Sequence, residues 1–343
     1  MFASVKRSFA IAMAIFMGLG MLTACGNRSG STPTTEPAPT EEPTPKKFLK
    51  VLTLGHSLAV DSTHMLSLVA AAEGYDLTVG TLYYSGCPLY RHVQHLQQDT
   101  PAYILYTSNS ANPNPPEAMK DVTMKQALRQ LDWDLIVMQG GTFELAEEKT
   151  FTDGNIQIIQ DYVNQNKLNK DAVFAWHMPW AFATEPELQA IYMNTGAATN
   201  YYTEGYKPYN NDRKVLFDLF CKNVEKYILT DKTFQFLIPT GTAFENAMTS
   251  YLTEKDLHRD YAHATDLARI IAAYTYFCKI AGVTELQELK LTTVPQRFLN
   301  SNKSLTDWVL TEAEKAINIE SVNNALKTPL QVTASQHTQA PTP

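Results

Sequence analysis

From Phe48 onward the chain alternates between short apolar runs and stretches with helical spacing. Five runs read as strands: Leu49 to Leu54, Leu77 to Tyr84, Asp134 to Gln139, Ala172 to His177 and Phe234 to Ile238, the last ended by Pro239. Their apolar residues follow one another rather than alternate, as in strands buried on both faces. Helical spacing fills the gaps. From Ser62 to Gly74 it places Met65, Leu66, Leu68, Val69 and Ala72, with Gly74 as a stop. Further helices are expected over Pro116 to Leu131, Gly154 to Gln165 and Asp212 to Leu229. The clearest runs from Ala264 to Ala281, with Leu267, Ile270, Ile271, Tyr274 and Cys278 on one face and Gly282 after it. Five strands alternating with helices predict an α/β fold, a three-layer α/β/α sandwich around a five-stranded parallel sheet.

The ends of the chain have a different pattern. Lys6 and Arg7 precede an uninterrupted apolar run from Ala10 to Leu22, too short for a stable membrane helix and closed by small residues. Residues 1–24 therefore read as a secretory leader. Leu22-Thr23-Ala24-Cys25 resembles a bacterial lipoprotein box. That resemblance implies an acylated Cys25 at the mature N-terminus and an extracytoplasmic chain anchored to the cell membrane. Residues 25–47 are rich in Pro, Thr and Glu and cannot bury enough surface to offset ordering entropy, so they read as a tether. One domain is expected over 48–326, with an unstructured tail over 327–343.

Charge and cysteine usage narrow the function classes. The formal net charge is −7, and loss of Lys6 and Arg7 with the leader moves it to about −9. No basic stripe interrupts the sequence, which argues against nucleic-acid binding. Apart from Cys25, the cysteines are Cys87, Cys221 and Cys278, with no CxxC spacing. Buried free thiols are the expected state. His64, His92 and His95 do not fall into a ligand spacing, so neither a metal nor another cofactor is expected.

Open parallel sheets bind ligands beyond the carboxyl ends of their strands. The residues there are Gly55-His56-Ser57, Ser85-Gly86-Cys87, Gln139-Gly140-Gly141-Thr142, His177 to Trp180, and Thr240-Gly241-Thr242. Ser57 is the candidate nucleophile. A serine hydroxyl needs a base, and the base needs an orienting carboxylate. Asp260 and His263, three residues apart just before the last clear helix, supply such a pair. Asp256 and His258 form a competing pair nearby. Ser57 could instead be a turn or capping residue, but Asp61 and Ser62 stand nearer the expected helix start and weaken that reading.

These residues together resemble the SGNH (GDSL-type) hydrolase superfamily. Gly55-His56-Ser57, a lone Gly86 after the second strand and Asp260-x-x-His263 carry the resemblance. More narrowly, the chain is similar to a branch of it described as a domain of unknown function. Leu82 to His92, Trp133 to Gly141, Ile238 to Ala247 and Arg259 to His263 support this, and the resemblance spans about Phe48 to Gly282. It implies a flavodoxin-like sheet, Ser57 as nucleophile, His263 as general base and acid, and Asp260 as its orienter. It also implies an oxyanion hole of the Ser57 and Gly86 N–H groups. Where the superfamily has a third donor in a Gly-x-Asn-Asp block, this chain has Gln139 to Thr142, so Gln139 is the expected substitute and Thr142 the second choice. His56 stands where the superfamily has Asp or Asn.

His56, His177 and Trp180 are candidates for the substrate rim, with Tyr83, Tyr84 and Phe182 as further aromatics there. Asn246 is expected to hold a loop. The expected activity is hydrolysis of a small acyl ester, an O-acetyl group on a carbohydrate by family analogy. The rival expectation is a non-catalytic lipoprotein that binds a glycan or peptide in the same cleft.

Overall fold

The computed structural model describes residues 48–193, 205–300 and 306–341, with side chains in helix Pro186–Met193 described only through residue 190. The expected leader, Cys25 and tether lie outside the described residues. Seven strands form the main sheet: β1 (Lys50–Gly55), β2 (Thr78–Tyr83), β3 (Tyr103–Asn109), β4 (Glu117–Val122), β5 (Leu135–Gln139), β6 (Val173–His177) and β7 (Phe234–Ile238). Their order is β4-β3-β2-β1-β5-β6-β7. The five expected strands are all present and mutually parallel. The expected sheet was two strands short, because β3 and β4 extend it in antiparallel fashion beyond β2.

The missed edge has a physical reason. β4 reads Glu-Ala-Met-Lys-Asp-Val and is exposed at every position but the last. Its composition favours a helix, so the 116–131 stretch read as one. Only pairing with β3 makes it a strand, and its charges suit an edge that must not recruit another chain. The helical part of that stretch is confined to Met124–Gln130, capped by Thr123 and Gln126. β1, β5 and β6, by contrast, are buried almost throughout, so both sheet faces are covered.

Five helices carry the argument below: α1 (Ser57–Thr63), α2 (Leu66–Ala72), α3 (Leu89–Gln97), α4 (Thr142–Leu145) and α5 (Asp266–Ala281). α1 begins five residues earlier than expected, directly at Ser57. α5 is buried almost all round, starts at the Thr265 cap and ends at Gly282 in the left-handed region (φ 72°). It packs against α1, α2 and two later helices, Thr240–Met248 and Glu312–Lys327.

The tail expected to lie free is docked instead. Thr333 N–H donates to Asn246 Oδ1, Ser335 N–H to Thr249 Oγ1, and Tyr251 N–H to the His337 carbonyl. Its composition is loop-like, but backbone hydrogen bonds do not need apolar residues. Asn246 thereby holds a loop, as expected. Cys87, Cys221 and Cys278 are free, and no described helix is long and apolar enough to cross a membrane.

Candidate active site

The sheet register brings the expected strand-end residues to one edge. Gly55 pairs with Tyr83, Leu54 with Met138, Gln139 with His177, and His177 with Ile238. The turns after β2, β1, β5, β6 and β7 therefore line up at the carboxyl end of the sheet.

Ser57 is the first residue of α1. The cap is His56, whose Nδ1 accepts from the Leu58 N–H at 3.4 Å while its Nε2 meets the Gly140 carbonyl at 3.2 Å. Asp61 and Ser62 lie inside the helix and do not cap it. With capping done by His56, the Ser57 hydroxyl is left half-exposed and uncommitted. Burial lowers the His56 pKa to about 4, so the ring is neutral near pH 7 and its two nitrogens can take these opposite roles.

Gln139 is not free to donate to a substrate. It is fully buried, its Oε1 accepts from the His56 N–H at 3.2 Å, and its Nε2 lies 2.8 Å from His177 Nδ1. His177 Nε2 in turn meets Thr240 Oγ1 at 2.6 Å, and Thr240 donates to the Met178 carbonyl. One consistent set of roles satisfies the chain: the Gln139 amide donates to His177, and His177 donates to Thr240. The expectation of Gln139 as third oxyanion donor is therefore corrected: a buried amide at a strand end was needed by its neighbours. Gly55 has the same cause. A Cβ there would lie 2.6 Å from Gln139 Oε1 and 2.8 Å from the Ala59 Cβ, so the packing of these two side chains needs the glycine. Thr142 Oγ1 is buried without a hydrogen-bond partner.

The rim assignments are corrected for the same reason. His56 is 4 % exposed, and His177 and Trp180 are fully buried. Burial also lowers the His177 pKa to about 3. Trp180 stacks on Phe244 with ring centroids 4.0 Å apart and donates its indole N–H to the Ala262 carbonyl at 2.8 Å. It supports the site from beneath. Phe182 is buried as well, while Tyr83 and Tyr84 are half-exposed. Sequence placed all of these at strand ends, but the direction in which a side chain points depends on the packed neighbours.

Asp260 and His263 form the expected pair. His263 Nδ1 donates to Asp260 Oδ2 at 2.8 Å, leaving Nε2 as the outward nitrogen. Asp260 Oδ1 accepts from the Ala262 and His263 N–H groups, each at 2.8 Å. Burial raises the Asp260 pKa, but the His263 bond and charge and these N–H groups outweigh it and lower the value overall. The competing His258 is buried and hydrogen-bonds the Glu254 carbonyl through Nδ1, so it is no rival base.

The loop holding this pair is fastened to the helix holding Ser57. Asp61 is one turn along α1 from Ser57, on the same face. Its Oδ1 accepts from Arg259 at 3.0 Å and Arg269 at 2.6 Å, and its Oδ2 from the Ala264 N–H at 2.9 Å. Burial pushes the Asp61 carboxyl up, but the charges of Arg269, Arg259 and His263 outweigh it and hold the pKa near 2. The charge of His263 is also felt at His56. No hydrogen bond joins His263 Nε2 to Ser57 Oγ. By local pattern Asp61 reads as a capping residue. Its partners, about two hundred residues away, were beyond any local pattern.

Gly86 occupies the turn after β2 with φ 54°, and a side chain there would meet nothing within 4 Å. The positive φ explains the glycine, which is exposed.

A family model described as a domain of unknown function, DUF4886, matches residues 50–304. The fold is similar to a crystal structure of a DUF4886 family protein from Bacteroides uniformis, with TM-score 0.67 and 23% identity over 85% of this chain and 99% of that one. A second structure, from Slackia heliotrinireducens and provisionally assigned as an SGNH hydrolase, aligns with TM-score 0.40 and 16% identity over 67% of this chain and 97% of that one. No curated protein matches the chain.

Proposed function

The chain belongs to the DUF4886 family, and we propose that it is a serine esterase working through an acyl-enzyme. One observation carries the reading: the Asp260–His263 pair sits on a loop tied by Asp61 to the same helix that presents Ser57 at its first position. Pure binding has no need of a hydroxyl, a ring nitrogen and a half-buried carboxylate in that order.

In this reading the residues act in turn. Ser57 Oγ attacks the ester carbonyl as its proton passes to His263 Nε2. Asp260 holds the ring through Nδ1 and stabilises the imidazolium. The oxyanion is held by the backbone N–H groups of Ser57 and Gly86, each preorganised donor contributing about 3 kcal/mol in the transition state. His263 then returns the proton to the departing alcohol, and water repeats the sequence to free the acid. With Gln139 occupied elsewhere, two backbone donors carry this load.

The substrate we propose is a small acyl ester, an O-acetyl group on a carbohydrate. The leader and Cys25 support a location outside the cytoplasm, anchored to the membrane by acyl chains at about 0.8 kcal/mol per buried methylene. A second reading, a glycan- or peptide-binding lipoprotein, is favoured only by the missing Ser57–His263 hydrogen bond. Catalytic contacts often tighten only with substrate bound.

The test is labelling by a fluorophosphonate and turnover of p-nitrophenyl acetate by the wild type, Ser57→Ala and His263→Ala. Labelling and turnover lost in both variants are expected. A wild type that shows neither supports the binding reading, and turnover that survives Ser57→Ala removes the nucleophile.

A further inference from the structure

A cavity of about 350 Å³ opens at the carboxyl edge of the sheet, within the size range of small-ligand sites. Its walls include Tyr84 and Gly86 from the turn after β2, Tyr90 and Arg91 from α3, and Gly141 and Glu144 from the β5 turn and α4. β2 and β5 are the two sheet neighbours of β1. A cavity walled by both of their turns therefore lies across the end of β1, next to the proposed oxyanion site at Gly86.

Its polar groups are not alike. Glu144 is committed, accepting from the Gly141 N–H at 3.1 Å. Burial raises its pKa to about 7, so near neutral pH much of its charge is lost. Arg91 is half-buried, and among the described residues no side chain forms a salt bridge or hydrogen bond with it. Its guanidinium carbon lies 5.8 Å from the centroid of the Tyr90 ring. Arg91 also sits in the first turn of α3, where the helix dipole already favours an anion. α3 has no side-chain cap, and Tyr90 is 48 % exposed. Among the described residues, this cation at the positive end of a helix has the exposed Tyr90 ring beside it and no anionic partner.

Resting on the esterase reading, we infer that this cavity selects an acidic sugar unit as the carrier of the ester, with Arg91 binding its carboxylate and Tyr90 stacking on its ring. The guanidinium fork matches a carboxylate in two parallel bonds. The chemical class is an O-acetylated sugar acid rather than a neutral O-acetylated sugar.

The test compares O-acetylated methyl glucuronoside with O-acetylated methyl glucoside as substrates. Methyl glucuronoside and methyl glucoside serve as ligands in titrations of Ser57→Ala. In the wild type, kcat/KM should favour the acid by about tenfold or more, the worth of one charge-assisted contact. Arg91→Gln should remove that preference and Arg91→Lys should restore part of it. The Ser57→Ala protein should bind the glucuronoside more tightly than the glucoside. An enzyme that turns over both substrates equally overturns the inference and leaves the esterase standing. Binding preference without any turnover overturns the esterase and leaves the acidic-sugar site standing. If Arg91→Gln does not fold, the wild-type ratio alone decides.

Discussion

The two halves of the candidate site are held in place by different physics. Ser57 rests on a neutral network: His56, Gln139, His177 and Thr240, linked by hydrogen bonds and carrying no full charge near pH 7. His263 rests on an ionic one: Asp61 between Arg259 and Arg269. The strand end is already fixed by parallel neighbours on both sides, so it needs only amide and ring partners for buried polar atoms. The loop from Arg259 to Ala264 has no place in the sheet. Asp61 of α1 holds it instead, accepting from Arg259 and the Ala264 N–H, while Arg269 of α5 braces Asp61. Position at one edge of a sheet is thus achieved twice, once by backbone ladder and once by buried charge.

The largest effect expected tests the base side. Asp260→Asn should cut kcat by about 10³ to 10⁴-fold with folding little changed, because the ring loses its orienting anion while the Ala262 and His263 N–H groups keep an acceptor. Pre-steady-state acylation with p-nitrophenyl acetate measures it. A loss of less than tenfold removes Asp260 from the mechanism.

Next is Asp61→Ala, which strands two guanidinium groups beneath the loop. A destabilisation of about 3 to 5 kcal/mol is expected from denaturant unfolding. Activity should fall with it, since the loop carrying His263 loses its tie to α1.

The neutral side is expected to respond less. Gln139→Ala leaves the His56 N–H and His177 Nδ1 unpaired, at about 1 to 3 kcal/mol. Its kcat should stay within about tenfold of the wild type, against the 10² to 10³-fold loss that marks an oxyanion donor. The larger loss with unchanged stability would return Gln139 to the oxyanion hole.

The smallest effect separates the two halves by pH. His56 and His177 have folded-state values of about 4 and about 3 against an ordinary 6.5. Between those values and 6.5 the unfolded chain binds the extra protons, so their stabilising share is lost as pH falls through that window. Asp61 behaves as a depressed carboxylate. Its share persists until pH falls below its ordinary 3.8 and goes as pH passes about 2. Amide exchange at β1 and α1 should therefore rise as the pH is lowered from 7 towards 5. Exchange there that stays unchanged over that range would contradict the neutral support.

Much of this was legible before any coordinates. The five parallel strands, the helix ending at Gly282 and the Asp260–His263 pair follow from local patterns: runs of apolar residues, a glycine stop and a three-residue spacing. These depend on contacts between near neighbours in sequence. β3 and β4 did not show, because an exposed edge strand of charged residues is defined only by its partner. Nor did the roles of His56, Gln139, His177 and Trp180. Their types and strand-end positions fit a substrate rim equally well.

Sequence alone determined that Ser57 and Gly86 follow the carboxyl ends of neighbouring parallel strands, and that Asp260 and His263, three residues apart, pair within one loop. Tertiary structure alone decided which neighbours face solvent and which are consumed in support. Each such side chain answers to partners tens to hundreds of residues away: His56 to Gly140, Gln139 to His177, and Asp61 to Arg259 and Arg269. Burial leaves a polar atom no alternative to pairing with whatever the fold brings beside it.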